Sequence, residues 1–329
     1  MRLAALRHLS LVALLSAAAC GTTAAATLAE VEALVKRGDP RALAAAEALV
    51  EANEGNARAW ILLTRAQLRR GQDVEAVESA EQAVELAPDD AQAQFWLGNA
   101  LGNRIGQVNM LRKMAMAPDL RDAFEAAVRL DPALLDAREA LIQFYLNAPS
   151  AMGGGAEKAA LQVAEIARRN PVRGHLAQAG IHRFNKDQAA VARSIDAAVA
   201  AAPRLPQDDI DSRVGVAINL VALERHDQAL AFLQLWAAAQ PQVAAPHYQL
   251  GRLAAISGQH VDAGVAGLKR YLDPALAKRD MDPSPANAWW RLGQIEAKGG
   301  DAAAARTAFE TALKLEPDHA EAKKGLAAL

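Results

Sequence analysis

The chain has 329 residues, of which 52% are hydrophobic and only 4% aromatic, and alanine dominates. That composition favours helix over long β-rich stretches, because Ala loses least when a helix forms. The formal net charge is −2 with acids and bases interspersed, which excludes the clustered Lys/Arg stripe that phosphate backbones require and so argues against a nucleic-acid partner.

Residues 1–26 read as a targeting segment, a signal peptide. Arg2 and Arg7 form a positive n-region, and Leu9 to Ala19 an apolar h-region. The run is shorter than the roughly 20 residues that span a bilayer. Two exits follow. Ala24-Ala25-Ala26 is an A-x-A site that frees a soluble chain beginning at Thr27. Ala17-Ala18-Ala19-Cys20-Gly21 resembles a bacterial lipobox, which removes 1–19 and leaves a lipid anchor on Cys20, although Ala17 stands where the box prefers Leu. Both exits imply export: to the periplasm as a soluble protein, or to the outer membrane on a lipid. No other run is long and uniform enough for an integral membrane span. Cys20 is the only cysteine, so disulfides and CxxC metal or redox sites are excluded.

Beyond the targeting segment the chain repeats itself. Trp60, Leu63, Ala76, Ala80, Ala83 and Pro88 recur near the other end as Trp289, Leu292, Gly293, Ala305, Phe309, Ala312 and Pro317, with 28 residues from Trp to Pro each time. Taken in order, the predicted helix-turn-helix units are 23–56, 57–90, 91–134, 135–171, 172–205, 210–243, 244–277 and 286–319, with a capping helix over 320–329. The first is degenerate, carrying only Ala42, Ala46 and Leu49 of the pattern. Small residues at the eighth position (Gly98, Gly251, Gly293) and the twentieth (Ala76, Ala229, Ala263, Ala305) are expected where a unit's two helices cross. A larger side chain there would overpack. Pro at the unit's end stops the second helix by removing a donor and clashing with the turn before it.

Three segments break the frame. Arg104 to Pro118 and Ala148 to Ala156 lengthen the third and fourth units in the turn between their helices, so the two insertions should be neighbours in space. Asp273 to Pro285, with Pro274 and Pro283, reads as a loop on the opposite edge.

These spacings resemble the tetratricopeptide signature, W-x2-L-G-x2-Y, A-x3-F and P on a frame of about 34 residues. The resemblance covers almost everything after residue 22 and implies an all-α, right-handed superhelical solenoid of about eight units plus a cap. It also implies that the first helices line a concave groove in which a partner polypeptide docks. Carried over position by position, the groove residues are Arg65, Arg69, Phe95, Asn99, Asn103, Glu139, Gln143, Asn147, Leu176, Arg183, Val214, Ile218, Tyr248, Arg252, Trp290, Arg291 and Gln294. Some members hold a peptide's carboxylate in a Lys/Asn clamp. Here Asn99 fits one clamp position, but Phe95 stands in place of the first Lys and Ala140 in place of the next Asn, so that clamp is rejected.

Phe95, Tyr248 and Trp290 share one frame position, either as peptide anchors or as packing against the neighbouring unit. Arg65, Arg69, Arg183, Arg252 and Arg291 either favour an acidic or carboxylate-bearing partner segment or are charges paired on adjacent helices. A second candidate surface comprises Met110, Met114, Met116, Met152 and Gly153-Gly154-Gly155. The glycines are either an anion nest at a helix N-terminus or, more simply, a permissive turn. Met110, Leu111, Met114 and Met116 either bind a partner or form a satellite core beneath the insertions, the latter being the expectation. His175 and His247 fall on the packing position of Trp60 and Trp289, and no zinc spacing exists. No H-E-x-x-H, G-x-S-x-G or dinucleotide fingerprint occurs. The expectation is a non-catalytic scaffold or adaptor of the bacterial envelope, without cofactor. Its alternatives are an outer-membrane lipoprotein assisting assembly of a pilus or secretion complex, and, in another class, an anion- or metal-dependent enzyme built on the glycine-rich edge.

Overall fold

The computed structural model describes residues 26–276, 278–279 and 282–329. Except for Ala26, the expected targeting segment, its cleavage sites and Cys20 lie outside the described residues. Among those described, seventeen α-helices and two short 3-10 turns occur, with no strand. They pair as α1 (Leu28–Arg37) with α2 (Ala42–Ala52), α3 (Ala57–Arg69) with α4 (Asp73–Leu86), α5 (Ala91–Gln107) with α6 (Met110–Leu130), and α7 (Leu135–Asn147) with α8 (Ala156–Arg169). The series continues with α9 (Pro171–Phe184) and α10 (Gln188–Ala201), α11 (Ile210–Ala222) and α12 (His226–Ala239), α13 (Ala245–Ser257) and α14 (Val261–Leu272), and α15 (Pro285–Gly299) and α16 (Ala302–Leu315). α17 (Ala320–Ala327) packs on α16 as the cap. No described helix is long and apolar enough to cross a membrane.

Local chemistry sets the helix starts. Asn56, Asp90, Asn170, Asp209 and Ser284 cap first helices by accepting backbone N–H bonds through their side chains. Second helices follow tight turns in the left-handed region, at Gly38, Gly71, Gly258 and Gly300, and at Lys186 and Glu224 where a side chain must tolerate it. Pro171 has a second role besides marking the end of α8 at Arg169. It opens α9 at its first turn, where its missing N–H costs nothing.

The small-residue positions work as steric sockets. A Cβ on Gly98 would sit 2.5 Å from the Phe124 ring, on Gly293 2.5 Å from the Phe309 ring, and on Gly251 2.1 Å from Leu268. In the seventh unit the twentieth-position expectation is off by one. Ala263 is half-buried, and the close approach falls at Gly264, whose Cβ position is 2.2 Å from the Ala254 methyl. The turn there holds His260 in the left-handed region, and α14 begins one residue later than the regular frame.

The 104–118 segment corrects the expectation of an inserted turn. α5 runs 17 residues and α6 runs 21, separated only by Val108 and Asn109. Asn109 is the N-cap that restarts the helix, its side chain accepting from Arg112 N–H at 3.0 Å. Pro118 lies within α6 and leaves the Met114 carbonyl without its helical donor. The insertion is therefore an overhanging helical hairpin. The 148–155 segment is a loop with one 3-10 turn, Ser150–Met152, and it packs beneath that hairpin: Arg121 Nη1 donates to the Met152 carbonyl at 3.4 Å. Residues 273–284 form no helix where described. Tyr271 Oη donates to the Pro283 carbonyl, and Arg279 ties back to Asp282 and to Asp211 on α11.

Candidate functional site

The middle of the array carries a cleft of about 720 Å³ along its first helices, with Glu139 and Gln143 on α7, Leu176 and Arg183 on α9, and Gly215 on α11. Three charged residues line it that the groove positions omitted: Asp136, Arg173 and Asp211. Each is the second residue of its unit, and that recurrence was the signal that could have found them. Arg173 is the hub. Its Nε donates to Glu139 at 2.6 Å, and its Nη2 to Asp136. Burial pulls its pKa down, but the hydrogen bonds it donates to Glu139 and Asp136 outweigh burial and raise it. Asp211 pairs with Arg279 at 3.1 Å. The middle of the groove is thus an internally satisfied ion network.

The five groove arginines divide into two sets. Arg65 lies 5.1 Å over the Trp96 ring, and burial lowers its pKa. Arg69 reaches over the Gly38 turn to the Lys36 carbonyl at 3.4 Å. Arg183 donates to Asn219 Oδ1 at 2.7 Å. These three are engaged by neutral structural partners. Arg252 on α13 and Arg291 on α15 differ: Arg252 Nη1 and Arg291 Nε are buried with no hydrogen-bond partner, and neither residue forms an ion pair among the described residues. Burial, and next the charge of Arg291, lower the Arg252 pKa. Arg291 stacks 4.0 Å from the Trp290 ring and donates to Gln294 Oε1 at 2.8 Å. Two like charges therefore adjoin at the C-terminal end of the first-helix face, with donors left over.

The three aromatics that share a frame position differ in their surroundings. Trp290 is half-buried, 5.6 Å from the His319 ring. Phe95 is also half-buried, against Trp96 at 5.4 Å and Phe124 at 6.0 Å. Tyr248 is not a groove anchor. It is only 5% exposed, with its ring 5.2 Å from Tyr271. Gly264 and Gly267 bring α14 close, and Leu276 of the following loop joins the same core cluster. Asn99, Asn103 and Asn147 turn their amides back on their own helices, donating to the carbonyls of Phe95, Asn99 and Gln143.

The glycine run is a turn and offers no anion nest. The amides of Gly153, Gly154 and Gly155 donate to the carbonyls of Ser150, Pro149 and Tyr145 at 2.9, 3.1 and 2.8 Å. A Cβ on Gly154 would lie 1.9 Å from the Ala148 carbonyl oxygen, so glycine is required for the chain to fold back. The three glycine amides are thereby spent within the turn. The satellite-core expectation fails for three of the four residues Met110, Leu111, Met114 and Met116. Met116 packs on the core, as does the nearby Met152, but Met110, Leu111 and Met114 are 71%, 79% and 51% exposed. No cluster of three or more metal-ligating side chains occurs among the described residues.

Tetratricopeptide repeat family models match residues 28–91, 74–101 and 286–319. No curated protein matches the sequence significantly. Among solved structures, yeast Tom70 superposes with a TM-score of 0.56 at 16% identity, covering 90% of this chain and 61% of that one. A thermophilic TPR protein of Thermus thermophilus gives 0.46 at 19% identity, covering 59% of this chain and 95% of that one. At such identities the likeness concerns the fold alone. Residues 28–101 and 286–319 therefore carry tetratricopeptide repeats, and helix pairs of the same all-α type fill the described chain between them.

Proposed function

We propose that the chain is a non-catalytic scaffold that holds a partner polypeptide along its first-helix face and seats an acidic or carboxylate-bearing stretch at Arg252 and Arg291. The fold is that of a protein–protein interaction scaffold in general. The observation that carries the finer reading is the pair of buried guanidinium nitrogens without partners. An unmet buried donor costs about 1–3 kcal/mol. A carboxylate between the two guanidinia would satisfy both and relieve their repulsion, and charge-assisted bonds of this type are among the stronger ones. Trp290 beside them adds a flat apolar surface of the kind that dominates binding energy.

The test is a crosslinked pull-down from the native envelope fraction, comparing wild type with Arg252→Gln/Arg291→Gln and with Trp290→Ala, each checked for helicity. A protein captured by wild type and lost from both variants supports the reading. Equal capture by all three sinks it. The envelope setting itself rests on the sequence of residues 1–26. The intact mass of the mature chain separates its two versions. A start at Thr27 means soluble export, whereas acylation at Cys20 favours a lipid-anchored role in assembling an envelope complex. A chain retaining Met1 to Ala26 contradicts export.

A further inference from the structure

We infer that the α5–α6 overhang is a second docking site, for an amphipathic segment of the protein partner carrying large apolar side chains beside acidic residues. This deepens the groove reading above and rests on it. Beneath the overhang opens a cleft of about 1020 Å³, walled by Ile105, Met114, Phe124, Phe144 and Met152. At its lip Met110 and Met114 are 71% and 51% exposed, and an apolar surface of this kind marks an interaction site when something covers it. Methionine suits such a lip because its flexible, polarisable side chain adapts to irregular apolar shapes.

Two observations specify the occupant. The first is charge. No acid occurs between residues 91 and 118, and no carboxylate lines the cleft. Lys113 lines it with no ion pair among the described residues, and Arg104 and Arg112 stand on the same overhang. Arg121 alone is neutralised, by Asp122 at 2.6 Å. The charges of a complementary ligand are therefore negative. The second is continuity. Ala140 and Gln143 line both this cleft and the 720 Å³ cleft of the middle groove, so a polypeptide lying along the first helices runs directly into it. A concave apolar slot with a basic rim fits a helix laid in by its apolar face.

The experiment pans a random 16-residue peptide library, displayed on phage, on the full chain. It then measures the selected peptides by fluorescence anisotropy against three variants: Met110→Gln/Met114→Gln, Lys113→Glu, and Arg252→Gln/Arg291→Gln. The methionine and lysine changes lie at the cleft's lip, and circular dichroism confirms that helicity is kept. The expected peptides carry large apolar residues at helical spacing with Asp or Glu beside them. Their affinity falls about tenfold or more on Met110→Gln/Met114→Gln, as for loss of central apolar anchors, and also falls on Lys113→Glu. Peptides lacking that pattern, or indifferent to both lip variants, overturn the inference, as does failure to enrich any peptide over the Met110→Gln/Met114→Gln protein. Pelleting of the chain with anionic phosphatidylglycerol vesicles but no peptide selection also overturns it, in favour of a membrane. Loss on Arg252→Gln/Arg291→Gln alone leaves the groove reading standing and removes the cleft. Loss on the lip variants alone does the reverse.

Discussion

The third and eighth units share one interior and differ at one end. In both, a ring from the second helix enters a glycine socket on the first, Phe124 at Gly98 and Phe309 at Gly293, with the same 2.5 Å approach to an added Cβ. The eighth unit then closes in a tight turn at Gly300, whereas the third continues for further helical turns and ends in exposed Met110, Leu111 and Met114. The frame therefore dictates the core of a unit and leaves its turn edge free. Residues added at that edge extend the surface without disturbing the socket.

Several experiments would break or sharpen this comparison. Phe124→Ala and Phe309→Ala should each cost about 3–5 kcal/mol, read as similar drops in the urea midpoint. A much smaller loss at Phe124 would mean that the overhang shares the third unit's stability. Filling the sockets instead, with Gly98→Val or Gly293→Val, overpacks a rigid ring and should cost about 1–3 kcal/mol. Glu224→Gly should stabilise by about 1 kcal/mol, because Glu224 sits at φ 58° where the second, seventh and eighth units place glycine. A lower melting temperature for that variant would show that the Glu side chain makes up for the strain.

The seventh unit adds a pH test. His247 stands where the eighth unit has Trp289, and burial, followed by the charge of Arg270, holds its pKa below the ordinary 6.5. A depressed folded pKa means that the neutral form is the one favoured by folding. Its contribution is complete above about pH 6.5 and is lost as pH falls through the folded value. His247→Gln should flatten the fall in melting temperature just below pH 6.5, and an unchanged slope would exclude His247 as its source. Least of all, Met110→Gln/Met114→Gln should change stability by no more than about 0.5 kcal/mol, since both side chains already face water. A large loss would place them in a core after all.

Most of the fold was legible because the frame encodes sterics. Gly98, Gly251 and Gly293 announce the sockets, and the terminal prolines announce the helix ends. Misreadings occurred where the chain departs from the frame. Pro118 read as a loop, but Asn109 caps a new helix upstream, and the turns that follow carry through the proline. Tyr248 shares its frame position with Trp290, yet Gly264 and Gly267 draw α14 over it, and that depends on a neighbouring helix which frame position does not encode. The groove arginines looked equivalent in sequence. Only the structure separates Arg65, Arg69 and Arg183, which have structural partners, from Arg252 and Arg291, which do not. Asp136, Arg173 and Asp211 were readable from their shared second position, which the groove assignment passed over.

The central claim is that the first helices form the binding face, with its unsatisfied charge at α13 and α15. Hydrogen exchange of the chain, alone and with its captured partner, tests this most directly. Slowed exchange in α13 and α15, running along α7, α9 and α11, is the predicted result. Slowing confined to the second helices α10, α12, α14 and α16, with the first helices unchanged, would contradict it.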